Sequence, residues 1–158
     1  MNDNGSQFVL FRVGSEEYGL PIVDVSSIIR YEAVTPVPRA PKSVQGVIDL
    51  RGRVVPVVDL GKRLFGTTFV PTPRARIIVT ETPAGAVGLA VDAASEVATF
   101  AEEQMMPAPE AALPKEMVEA FAAVVHLEGR LIILLDLERV LPRAEYELAN
   151  TETSEGDA

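Results

Sequence analysis

Residues 46–66 read GVIDLRGRVVPVVDLGKRLFG, and a stretch of the same design returns at 123–142 as AVVHLEGRLIILLDLERVLP. At an offset of 77 residues, Leu50, Gly52, Arg53, Asp59 and Leu60 fall on Leu127, Gly129, Arg130, Asp136 and Leu137. Two apolar runs are joined by a turn containing glycine. An aspartate follows, placed to cap a helix that opens on leucine. Each copy therefore reads as strand, tight turn, strand and short helix.

The duplication extends outward. FVLFRVGSEEYGL at 8–20 aligns with IIVTETPAGAVGL at 77–89 at an offset of 69, and VDVSSII from Val23 aligns with VDAASEV from Val91 at an offset of 68. Two half-chains thus share one plan and read as two small β-rich subdomains. The second copy is also an internal control. A two-residue hairpin turn uses the left-handed freedom of Gly52 and Gly129, whereas its other residue is Arg51 in one copy and Glu128 in the other. A turn that accepts either charge does not need arginine for its fold. Arg51 is thereby the leading candidate for a function-bearing residue, with an ordinary solvated turn residue as the plain alternative.

At 158 residues the chain makes one structural unit, 7–142, with halves at roughly 7–66 and 76–142; exchange of strands between the halves is left open. Residues 1–6 and 143–158, polar and without apolar periodicity, read as flexible tails. Short runs rich in Val and Ile and punctuated by Gly and Pro argue for mainly β structure. No apolar run approaches the roughly 20 residues that span a bilayer, no signal peptide is legible, and the absence of cysteine excludes a disulfide framework. A cytoplasmic protein is expected. The net charge of −9 disfavours nucleic acid, yet nine of the fourteen basic residues lie between Arg30 and Arg76. Such a basic middle fits a protein-docking face.

Strands are expected at 7–13, 18–22, 44–50, 53–58, 76–81 and 86–91, and a short helix leading into a strand over Val23–Tyr31. Pro36, Pro38 and Pro41 make Glu32–Ser43 a stiff extended connector. Pro56 cannot donate to a ladder, which places it at a sheet edge or a bulge. Leu60–Gly66 reads as a helix, 67–73 as the seam between halves, Glu102–Lys115 as a loop and Glu116–Ala122 as a helical turn.

Catalytic constellations are missing from the sequence. His126 is the single histidine, and a lone strand histidine is more often structural than a ligand or base. Asp59 and Asp136 are explained by helix capping. Neither a metal-ligand spacing nor a phosphate loop nor a nucleophile elbow is present. No enzyme and no cofactor are expected, and the exposed surfaces carry the function.

YGLPIVDVSSIIR, TPVPRAPKSVQGVIDLRGRVVPVVDLGKRLFG, VGLAVDAASEV and GRLIILLDLERVL, in that order, resemble CheW, the adaptor family of bacterial chemotaxis, over about 7–141. The resemblance implies two five-stranded SH3-like β-barrels with no enzymatic activity. It further implies binding to the cytoplasmic tip of membrane-associated chemoreceptors and to the regulatory domain of the histidine kinase CheA. Arg51, with Asp49 and Gly52, matches the family's Asn-Leu-Arg-Gly turn, tied to receptor and kinase coupling. Val25, Ser27, Ile28, Gly88, Ala94 and Val97 match a groove for a receptor helix, and core packing is the plain alternative for these. Met106 and Ala111 fall in a kinase-facing loop.

Three departures stand out. Asp49 replaces the family's Asn and is expected to mask part of the Arg51 charge. Ser27 stands where Glu is common, and Met106 and Ala111 lack the basic and aromatic residues of some relatives. An adaptor of a non-flagellar pathway such as pilus motility, the regulatory domain of a kinase, and a nucleic-acid-binding β-barrel are the alternatives.

Overall fold

The computed structural model describes residues 5–107, 109, 111 and 115–141. Eleven strands are present among them: β1 (Ser6–Val13), β2 (Glu16–Pro21), β3 (Val25–Arg30), β4 (Val44–Leu50), β5 (Arg53–Asp59), β6 (Arg76–Thr82), β7 (Gly85–Val91), β8 (Ala93–Phe100), β9 (Met105–Met106), β10 (Phe121–Leu127) and β11 (Arg130–Leu135). Three short helices accompany them, α1 (Leu60–Phe65), α2 (Lys115–Ala120) and α3 (Leu137–Val140). The tail at 143–158 lies outside the described residues. The loop expected at 102–115 contains the two-residue strand β9, paired with β10 through Val124 and Val125.

The strands form one sheet ordered β8-β1-β2-β11-β10-β9 and another ordered β3-β6-β7-β5-β4. Neither sheet coincides with a repeat. Each takes its second and third strands from one half-chain and the rest from the other, so both sheets have the same order with strands exchanged. The join is a parallel pair in each: β2 meets β11 at Gly19↔Leu134, and β7 meets β5 at Gly88↔Val57. The glycines are there for space. A Cβ on Gly19 would lie 2.9 Å from Leu134 Cδ2, and one on Gly88 2.7 Å from Ile77 Cγ2.

Pairing also corrects one alignment. Val25 pairs with Thr80 and Ser27 with Val79 across a bulge at Ser26; Ala94 pairs with Phe11 and Glu96 with Leu10, again skipping one residue. The offset for β3 and β8 is therefore 69, so Ser27 corresponds to Glu96, Ile28 to Val97 and Arg30 to Thr99. Pro56 is a second correction, because β5 is an interior strand. Val47, its partner on β4, turns its own N–H and C=O outward to Thr35 at 2.8 and 2.9 Å, and the β7 ladder begins only at Val57. Proline sits where neither neighbour asks for a donor.

Caps follow the sequence. Asp59 accepts from Lys62 N–H, and Gly66 closes α1 in the left-handed conformation at φ 77°. Asp136 accepts from Glu138 and Arg139 N–H at the start of α3. Between the sheets lies a joint core that includes Phe11, Tyr18 and Leu20 from one side, Val58, Ile78 and Leu89 from the other, and Leu60 and Leu137 from the helices. Each sheet has a smaller core of its own.

The chain crosses between sheets at Ile22–Asp24 and again at Asp92. The second crossover is tied to the β1–β2 hairpin: Asp92 N–H donates to Arg12 O at 2.9 Å, and Gly14 N–H donates to Asp92 Oδ2 at 2.6 Å. At the first, the hairpin residue corresponding to Gly14 is Pro83, which has no N–H. Asp24 shares its hollow with Glu81, Asp136 and Glu138. Burial first, then the charges of Asp136 and Glu138, raise its pKa above the ordinary 3.8. The folded state thus holds the Asp24 proton more tightly than the unfolded chain. Above the raised pKa the ionised carboxylate is a penalty, and below the unfolded value the penalty is gone. Asp24→Asn is expected to raise the unfolding midpoint at neutral pH, with the gain vanishing below about pH 4. Thermal unfolding at several pH values checks this, and a gain that does not depend on pH would refute the assignment.

Candidate protein-docking site

The hairpin between β4 and β5 turns on two residues, Arg51 at φ 54° and Gly52 at φ 84°, and its counterpart on Glu128 at 51° and Gly129 at 80°. Two positive φ values define the type I′ turn that suits the twist of paired strands. Glycine takes that conformation freely, but a side chain there costs about 1–2 kcal/mol. Arg51 is held in a backbone that favours other residues, and its guanidinium makes no ion pair among the described residues.

Asp49 makes no ion pair with it among the described residues. Its Oδ1 accepts from Gly52 N–H at 2.9 Å, so the carboxylate clasps the turn, as the amide oxygen of asparagine can also do. The departure from the family's asparagine keeps the local geometry and leaves the Arg51 charge exposed.

Arg51 stands at the rim of an open hollow of about 300 Å³ whose wall includes Ser27, Ile28, Leu50 and Val79. On its flank Arg53 meets Glu81, with both contacts at 3.4 Å. Ile28 is 42% exposed on the edge strand β3. The other repeat shows what differs. There Arg130, the counterpart of Arg53, binds Glu17 at 3.0 Å and Glu96 at 3.4 Å. Because Ser27 occupies the place of Glu96, the hollow has no β3 carboxylate. An apolar floor remains beside a cation that has no ion pair among the described residues, which suits a partner that offers an apolar side chain next to an acidic one.

The groove residues expected from the sequence sort into pairs related by the repeat. Ile28 and Val97, 42% and 49% exposed, occupy matching places on the edge strands β3 and β8. Val25 and Ala94 also match, and both are half-buried against the joint core. Arg51, Ser27 and Ile28 share one hollow; Val97 lies on the other sheet. Gly88 is not part of a groove, since it is buried in β7 for the close approach to Ile77. Met106 and Ala111 are exposed, and Met106 is held on β9 against Val124. His126 is exposed on β10 opposite Leu131. Sequence reasoning missed Ser26, whose Oγ donates to Val79 O at the bulge, and the Arg53–Glu81 pair. The match of Arg53 to Arg130 could have flagged the latter.

A family model described as CheW-like domain matches residues 7–145. The chain is 39% identical over 150 residues to a chemotaxis protein CheW of Rhizobium meliloti (strain 1021), covering 94% of this chain and 96% of that one. It is 34% identical to a chemotaxis protein CheW of Bacillus subtilis (strain 168), covering 92% of each. Protein FrzA of Myxococcus xanthus is 32% identical over 65% of this chain and 64% of its own length. In three dimensions, the crystal structure of the scaffolding protein TtCheW from Thermoanaerobacter tengcongensis superposes with a TM-score of 0.78 at 29% identity, covering 88% of this chain and 89% of that one. Two SH3-like subdomains, a glycine turn bearing Arg51 and these likenesses agree: the chain belongs to the CheW-like domain family of chemotaxis scaffold proteins.

Proposed function

We propose that this protein is a non-catalytic adaptor that couples the cytoplasmic tips of chemoreceptors to a CheA-type histidine kinase. The observation that carries the reading is Arg51: a charged residue in a turn conformation that does not favour it, without an ion-pair partner among the described residues, beside the apolar Ile28. A receptor helix laid by its apolar face against Ile28 would bring a carboxylate to Arg51. The kinase's regulatory domain would meet a separate surface that includes Met106 and Ala111. Signal then passes by placement and contact. Among the described residues no helix is long and apolar enough to cross a membrane; in this reading the adaptor reaches receptor arrays by binding the receptor tips from the cytoplasm.

Arg51→Glu installs the residue that the other repeat carries in the same turn conformation. The variant is expected to fold with an unchanged unfolding midpoint and to lose receptor-dependent control of the kinase. The check is a phosphorylation assay with receptor, kinase and adaptor together. Control at the wild-type level would reduce Arg51 to a turn residue and leave the coupling unsupported. Titration calorimetry against the kinase's regulatory domain reads the second partner separately.

A further inference from the structure

Along β3, two residues beyond Ile28, stands Arg30, directly opposite Arg76 of β6. Tyr31 N–H donates to Ala75 O at 3.1 Å just outside this pair. Arg30 and Arg76 are thus a cross-strand pair of the closer kind, roughly 4.5 Å between Cα atoms, with both side chains on one face. Like charges so placed repel. No carboxylate relieves them among the described residues: Arg76 donates to the backbone oxygens of Pro73 and Ala75 at 3.1 and 2.8 Å, and Arg30 is exposed without an ion pair. Arg74, also exposed, adds a third guanidinium two residues away.

The fold does not require these charges. The matching pair in the other sheet is Thr99 opposite Gln7, and Arg74 matches Gly5. Nor is the basicity general. Residues 22–91 hold nine basic and five acidic residues, whereas 5–21 and 92–141 together hold four basic and twelve acidic. On the opposite face of the strand, where alternation turns Tyr31, Phe69 packs on Tyr31 at 4.7 Å between centroids.

We propose that Arg30, Arg74 and Arg76 form a docking surface for an acidic, partly apolar segment of a partner protein, continuous along β3 with the Ile28 hollow. Guanidinium groups bind carboxylates through two parallel hydrogen bonds. Arg76 is already anchored by its backbone contacts, so less freedom is lost on binding. Nucleic acid fits less well, because the neighbouring aromatic rings are turned away from the arginines and committed to other contacts. Tyr31 and Phe69 face each other, and Tyr31 Oη is hydrogen-bonded to Gln45 Oε1 at 3.1 Å, which leaves no free platform for stacked bases.

The test uses the full chain and a fluorescent peptide of about a dozen alternating Glu and Leu blocks, with a basic Lys/Leu peptide and an oligo-dT strand of similar length as comparisons. The acidic peptide is expected to bind, and to weaken severalfold when salt rises from low to physiological strength, where the screening length falls to about 8 Å. R30S/R74S/R76S is expected to bind it roughly tenfold less, as loss of charged hydrogen bonds implies, with an unfolding midpoint no lower than that of the wild type, since the cross-strand repulsion is relieved. Equal binding by the triple variant would overturn the proposal. So would oligo-dT binding more tightly than the peptide through the same arginines, or the basic peptide binding equally well. The assay contains neither receptor nor kinase, so its failure and a failure of the Arg51 experiment are read independently.

Discussion

Leu89→Ala is expected to lower the free energy of unfolding by about 3 kcal/mol, within the 2–5 kcal/mol range for removing a fully buried leucine side chain. Leu89 is wholly buried in the joint core, on β7 between Ile78 of β6 and Val58 of β5. Side chains of both sheets share this core, so a void there has no single sheet that can collapse into it. Urea unfolding measures the loss, and the two sheets should melt in one transition. A loss below about 1 kcal/mol would mean the sheets pack adequately without it. Val97→Ala on the half-exposed edge of β8 is the comparison, with little expected change.

Gly46→Ala is the second large effect. Gly46 has φ 153°, and a Cβ there would fall on the carbonyl of Thr35. That carbonyl belongs to the bridge holding the proline-rich connector on β4, where Thr35 and Val47 exchange hydrogen bonds at 2.8 and 2.9 Å. The clash is with backbone, so no side-chain rotation relieves it. Two bridge bonds at about 1 kcal/mol each, with about 1 kcal/mol of backbone strain, put the expected loss near 3 kcal/mol. Ala123, the counterpart in β10, carries its Cβ because its φ is not positive. Hydrogen exchange at Thr35 and Val47 should rise in the variant; protected amides there would show that the connector moves intact.

The hairpins, helix caps and connector were legible because each is written in a short local stretch. Glycine at a turn, aspartate before leucine and three prolines in six residues need no distant partner to be read. What the residues did not disclose depends on contacts far apart in sequence. The parallel joins Gly19–Leu134 and Val57–Gly88 leave no local mark beyond a glycine, so Gly88 looked like part of a surface and the strand exchange stayed open. Pro56 looked like an edge residue, since nothing in its own strand says that Val47 points the other way. A bulge inserts a residue without changing its type, and the β3 alignment therefore slid by one. Once corrected, the slip pairs Ser27 with Glu96 and shows why Arg53 turns to Glu81. Arg51 stood out as a candidate through its charge reversal, whereas the Arg30–Arg76 pair needed the register to bring the two face to face.

The exchange of strands also sets the order in which a growing chain can settle. The sheet ordered β3-β6-β7-β5-β4 has all its strands once Val91 has left the ribosome. The hairpin of β1 and β2, made first, has to wait for β8 on one side and for β11, more than a hundred residues later, on the other. Until then its edges are open to any passing strand, and long-range closure of this kind is slow. The N-terminal hairpin is therefore the part of the nascent chain most in need of protection during synthesis.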